Sequence, residues 1–186
     1  MKIIRKYNDY QKYLDHQKEK SLNPKRIETW FKEWEPKVQM FTDHFQRNKK
    51  YLGGKALGIC ARTGQEIEAM KILGMDAIGI DIVEYPPLVL EGDAHEIPFP
   101  TNTFDFVFSN SLDHSCMPNI FLSEMKRVLK VGGYGLLHLQ LTNDVDEFAE
   151  NIITDTDSVI KLLNCEIVEN RNINDICYNK EIVFQK

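Results

Sequence analysis

From Tyr51 onward, short apolar runs alternate with stretches of helical period, and no other feature of this chain restricts its fold as much. KALGI at 55–59 reads as a buried strand. GQEIEAMKILG at 64–74 reads as a helix with Ile67, Met70 and Leu73 inward and Gly74 at its end. AIGID (77–81), LVLEGD (88–93) and FDFVFSN (104–110) read as three more strands, and PNIFLSEMKRVLKVGG (118–133) as a helix with Gly132-Gly133 past its end. YGLLHLQL is a fifth strand, DSVIKLLN a helix, and CEIVEN and CYNKEIVFQK are two closing strands. Strands that alternate with helices build a parallel sheet covered on both faces, so the fold class is α/β. One connection is anomalous. Six residues, IVEYPP, join the second strand to the third, where a parallel crossover usually needs a dozen or more. Pro86-Pro87 forbids regular helix there, so a nearly bare loop is expected.

The first fifty residues differ in character. Tyr7, Tyr10 and Leu14, then Trp30 and Trp34, then Val38, Phe41 and Phe45 recur at helical spacing. Pro24 and Pro36 are expected to divide the segments. We therefore read residues 1–50 as a helical extension or lid and residues 51–186 as the main domain. The Trp30/Trp34 face is expected to pack as core. Charge divides at the same place: residues 1–50 carry 13 Lys+Arg against 7 Asp+Glu, and the rest carries 10 against 21. No basic run exceeds two residues, so an arm that folds onto an acidic body is preferred over one that binds an anionic partner.

The four cysteines make no CxxC pair and the five histidines no HxxxH, so no metal site is expected and the thiols read as reduced. MKIIRKYNDY has no apolar signal region and no stretch approaches membrane-spanning length, which leads us to expect a cytoplasmic protein with no membrane partner.

Ligands of an open parallel sheet bind outside the carboxyl ends of its strands. The first strand is followed by Cys60-Ala61-Arg62-Thr63-Gly64, the second by Asp81, the third by Asp93-Ala94-His95, and the fourth by Ser109 through His114. A carboxylate at position 81 can accept from both hydroxyls of a ribose. On these residues alone the chain is an α/β nucleoside-binding domain.

The stretch GDAHEIPFPTNTFDFVFSN (92–110), followed by EMKRVLKVGG (124–133), strongly resembles class I S-adenosylmethionine-dependent methyltransferases of the type 11 group, from about Lys55 to Gly135. The resemblance implies a Rossmann-like, mostly parallel seven-stranded sheet and S-adenosylmethionine as cofactor. By that resemblance, Gly58, Ile59, Cys60, Ala61, Arg62 and Gly64 wrap the methionine part, and Asp81 with Ile82 binds the ribose. Asp93, Ala94 and His95 meet the adenine, and Ser109 and Asn110 line the site near the methyl group. Three positions depart from the pattern. The acidic residue expected at the end of the first strand falls at Gly58, and two loop glycines fall at Cys60 and Arg62. The loop is similar to a GARxGxE variant, and Arg62 can offer its guanidinium to the cofactor's carboxylate.

Because the sulfonium already makes the methyl group electrophilic, the chain mainly has to align the acceptor and, for an oxygen acceptor, remove a proton. His114, Asp113 and His138 are the candidate bases. SNSLDH is not the Asn/Asp-Pro-Pro-aromatic motif of amino-group methylation, so a small-molecule acceptor is preferred. The alternatives are a scaffold protein that has lost turnover and an RNA methyltransferase using the basic arm. A nicotinamide dehydrogenase is disfavoured by the missing GxGxxG.

Overall fold

The computed structural model describes residues 1–144, 146–174 and 177–186. A two-residue strand β1 (Lys2–Ile3) leads to helices α1 (Tyr10–Ser21), α2 (Pro24–Lys32) and α3 (Trp34–Arg47). There follow β2 (Lys55–Ile59), α4 (Gln65–Ile72), β3 (Asp76–Asp81), β4 (Val89–Glu91), β5 (Phe104–Ser109), α5 (Pro118–Val128) and β6 (Leu129–Leu139). The chain closes with β7 (Asn151–Ile152), α6 (Asp157–Leu163), β8 (Glu166–Asn172) and β9 (Lys180–Gln185).

Seven strands form one mixed sheet in the order β4-β3-β2-β5-β6-β9-β8. Every pair from β4 to β6 is parallel, and β9 runs antiparallel between β6 and β8. β1 pairs with β7 apart from this sheet. The chain works outward from β2 to β4 and then returns to the other side of β2 with β5. That reversal opens a crevice at the carboxyl ends of the two strands.

Both faces of the sheet are dry. On one side α3 and α4 bury Phe41, Phe45, Ile67 and Met70 against Phe106 and Phe108. On the other, α5 and α6 bury Phe121, Leu122, Met125, Val159 and Leu163 against Leu57, Ile59 and Val107. Double burial explains why these strands read as continuous apolar runs rather than as an alternation.

The bare crossover is present. β3 passes to β4 through a turn containing a cis Pro86–Pro87 bond, with Tyr85 bridged to Val89. Other boundaries differ from the sequence reading. α5 stops at Val128, and Leu129 already pairs with Phe104, so LKVGG belongs to the strand rather than to the helix or its end. Leu129 is fully buried, and completing the sheet outweighs one more helical turn. Pro36 divides nothing: it sits in the first turn of α3, where a missing N–H is harmless, and the break falls at Glu33. α1 begins at Tyr10, capped by the Asp9 side chain. Its buried residues are Tyr13 and Gln17, not an apolar stripe through Tyr7 and Leu14. Trp30 and Trp34 are half-buried: Trp34 packs against the core on the α3–α4 side, whereas Trp30 meets Arg62 instead. Trp34 stacks on Phe31 at 5.9 Å.

Candidate functional site

The loop after β2 keeps a glycine-like backbone without most of the glycines. Cys60 and Arg62 have φ of 60° and 46°, in the left-handed region that side chains rarely adopt. Gly64, at φ 95°, starts α4, and a Cβ there would lie 2.9 Å from Leu88. The loop is pinned to β3: Ala61 N–H donates to the Ile80 carbonyl (2.9 Å), and Arg62 N–H to Asp81 Oδ2 (3.0 Å). The Arg62 guanidinium lies 5.3 Å from the Trp30 ring centre, a cation–π contact supplied by α2. Gly58 faces α4, where a Cβ would come within 2.4 Å of the end of the Ile67 side chain, so a larger residue here would require Ile67 to shift.

Asp81 is buried at the end of β3 and also accepts from Val83 N–H at 3.3 Å. Burial raises its pKa, and the two backbone donors work against that shift. Ser21 of α1 reaches it at 3.4 Å. Past β4, Asp93 accepts from His95 N–H (2.8 Å) and from the Tyr10 hydroxyl (2.6 Å). Burial pushes its pKa up, but these hydrogen bonds outweigh it and hold the carboxyl below its ordinary range. His95 also meets Ser115 Oγ through Nε2 at 2.7 Å. After β5, the Ser109 hydroxyl donates to the Ile59 carbonyl and ties the two central strands together. Asn110 Oδ1 accepts from Ser111, whereas its buried Nδ2 has no partner.

Cys60, Arg62, Asp81, Ile82, Asp93, Ala94 and Asn110 line one cleft of about 350 Å³, the size of a small-ligand site. Asp113 and His114 line it as well, from the turn after β5. Gly58, Ile59, Ala61, Gly64, His95 and Ser109 are not among the residues that line it. His138 does not line it either. It is fully buried, its Nε2 lies 2.9 Å from Glu181, and its ring packs edge-on to Phe108 and His44 beneath α3. That parity follows from β6, whose alternate residues face opposite layers.

The other half of the cleft contains residues that periodicity does not reveal. Tyr13, Gln17, Lys20 and Ser21 of α1 reach it, as do Asn151, whose buried Oδ1 lacks a partner, and Tyr178. α1 is held there by polar contacts. Tyr13 hydroxyl donates to the His114 carbonyl, and Gln17 donates to buried Glu150 at 2.8 Å. Glu66, in the first turn of α4, is pushed up to about 7 by burial, against the pull of Arg62.

Among the described residues no helix is long and apolar enough to cross a membrane, and no group of three His, Cys, Asp or Glu side chains could hold a metal. Residues 57–137 match the family described as a methyltransferase domain. A 50-residue stretch is 42% identical to 2-methyl-6-phytyl-1,4-hydroquinone methyltransferase 1 of Oryza sativa subsp. japonica, covering 26% of this chain and 15% of that protein. A 47-residue stretch is 45% identical to the probable phthiotriol/phenolphthiotriol dimycocerosates methyltransferase 2 of Mycobacterium ulcerans (strain Agy99), covering 24% and 18%. The chain thus spans less than a fifth of the curated relatives it matches. The fold is similar to 1,6-didemethyltoxoflavin-N1-methyltransferase of Burkholderia thailandensis, a structure holding 1,6-didemethyltoxoflavin and S-adenosylhomocysteine. The TM-score is 0.73 at 13% identity, over 100% of this chain and 93% of that one.

Proposed function

We propose that this chain, whose residues 57–137 match a methyltransferase-domain family, is a class I S-adenosylmethionine-dependent methyltransferase that methylates a small-molecule acceptor in the cleft above β2 and β5. One observation carries the reading: Asp81, Asp93 and Asn110 stand at the ends of three strands around a single cleft. The orphaned Asn110 Nδ2 makes the fit specific, because a buried donor without a partner is a disfavoured state that a ligand acceptor relieves. Asp81 would hold the ribose hydroxyls, Asp93 and Ala94 the adenine, and Arg62 the methionine carboxylate. S-adenosylmethionine, when bound, supplies an electrophilic methyl group. The chain's own residues then orient the acceptor, with Asp113 and His114 lining the cleft beside it, and α1 covers it from above.

The relatives support a small acceptor: a phytyl hydroquinone and 1,6-didemethyltoxoflavin are both small organic molecules. Calorimetric titration tests the cofactor half. Wild type is expected to bind S-adenosylmethionine and S-adenosylhomocysteine. Asp81→Asn keeps an oxygen for the loop N–H groups, and is expected to lose at least tenfold in affinity, about 1.4 kcal/mol, at an unchanged melting temperature. Wild type that binds neither ligand would leave a methyltransferase fold serving as a scaffold.

A further inference from the structure

We propose that Lys20 and His114 form one proton-accepting pair in the acceptor half of the cleft, and that the acceptor is therefore a molecule whose nucleophilic atom carries an ionisable O–H or N–H. This rests on the methyltransferase reading above. Both side chains line the cleft, one from the last turn of α1 and the other from the turn that follows β5.

The direction of their hydrogen bond follows from the partners. His114 Nδ1 lies 2.9 Å from the Phe148 carbonyl oxygen, which has no proton to give, so Nδ1 carries the hydrogen. Burial lowers the pKa of His114 and thereby favours the neutral ring, against the pull of Asp113. Nε2 is then a lone pair, and it accepts from Lys20 Nζ at 2.9 Å. Lys20 needs only one N–H for that bond. Once it gives up a proton, it has a lone pair for the cleft while the bond to His114 persists.

The surroundings make that loss accessible. The Lys20 side chain is 13% exposed. Arg62 from the cofactor loop and Arg26 from α2 oppose its charge, and Asp113 and Asp146 support it, Asp146 Oδ2 at 3.7 Å. Phe148 adds a ring face at 5.6 Å. Burial, with Arg62 next, brings the ammonium down to about 8. In the transfer step, the acceptor's X–H proton passes to the Lys20 amine and X keeps the electron pair. That pair forms the X–CH₃ bond as the S–CH₃ pair stays on sulfur. The ammonium afterwards releases its proton to solvent through the cleft mouth.

A ¹³Cε-lysine NMR titration tests the pair on the full chain, first saturated with S-adenosylhomocysteine and then with S-adenosylmethionine. Lys20→Arg assigns the resonance, and Lys20→Met serves if the arginine variant does not fold. With S-adenosylhomocysteine we expect one lysine to titrate near 8, absent from the variant. With S-adenosylmethionine the added sulfonium charge should shift that midpoint lower still. A Lys20 midpoint at 10 or above, or one that does not respond to the sulfonium, would overturn the pair. Calorimetry on the same samples separates the two claims. Bound S-adenosylhomocysteine with an ordinary Lys20 removes only the proton-accepting role, whereas failure to bind removes both.

Discussion

At the scale of single residues, the loop after β2 carries strain without most of its glycines. Left-handed backbone costs a residue other than glycine roughly 1–2 kcal/mol, and Cys60 and Arg62 both adopt it. The Arg62–Trp30 contact returns about 0.5–1 kcal/mol, which leaves stability nearly balanced for Arg62. Arg62→Gly should therefore shift unfolding free energy by less than about 1 kcal/mol, because relief of strain offsets loss of the contact. The same variant should bind S-adenosylmethionine about tenfold more weakly, since a charge-assisted hydrogen bond is lost. Thermal melts and calorimetry read the two effects separately. A large loss of stability with intact binding would make Arg62 a packing residue. The loop's position and its departures were legible in ALGICARTGQE. Its retained geometry was not, because that depends on Asp81 receiving the Arg62 N–H across 19 positions of sequence.

At the scale of elements, the N-terminal helices divide into two kinds. α3 is part of the core: Phe41 and Phe45 are almost wholly buried, with Phe45 edge-on to Phe106 and Phe108. α1 is held by hydrogen bonds over the site, from Tyr10 to Asp93, Tyr13 to His114 and Gln17 to Glu150. Phe45→Ala should cost about 3–5 kcal/mol in urea unfolding. Tyr10→Phe removes the hydroxyl's contacts with the Asp93 carboxylate and with His95 Nδ1 and should cost about 2 kcal/mol. Equal losses would mean that α1 is as much core as α3, and the lid reading of α1 would fall. Periodicity located both helices. It misjudged the face of α1 because apolar spacing identifies a helix that meets a core. A helix that covers a polar cleft turns Tyr13, Gln17 and Lys20 inward instead.

At the scale of the whole molecule, the basic arm finds its counter-charges on its own body. Lys18 pairs with Glu91, Arg26 with Glu147, and Lys50 with Glu169. Exposed pairs of this kind contribute little stability, about 0–1 kcal/mol each, but they neutralise the charge that an RNA partner would use. Fluorescence anisotropy with a labelled single-stranded RNA should therefore show no binding tighter than about 10⁻⁵ M at physiological salt. Tight binding with a steep salt dependence would revive the nucleic-acid reading. The sequence by itself determined the α/β class, the bare β3–β4 crossover and the strand-end positions of Cys60, Arg62, Asp81, Asp93 and Asn110. Those features follow from local periodicity, from proline, and from the rule that ligands sit at strand ends. Only the tertiary structure decided that His138 turns away from the cleft and that Lys20 enters it beside His114. Parity along β6 depends on which layer each face meets. The Lys20–His114 contact joins residues 94 positions apart, beyond any local pattern.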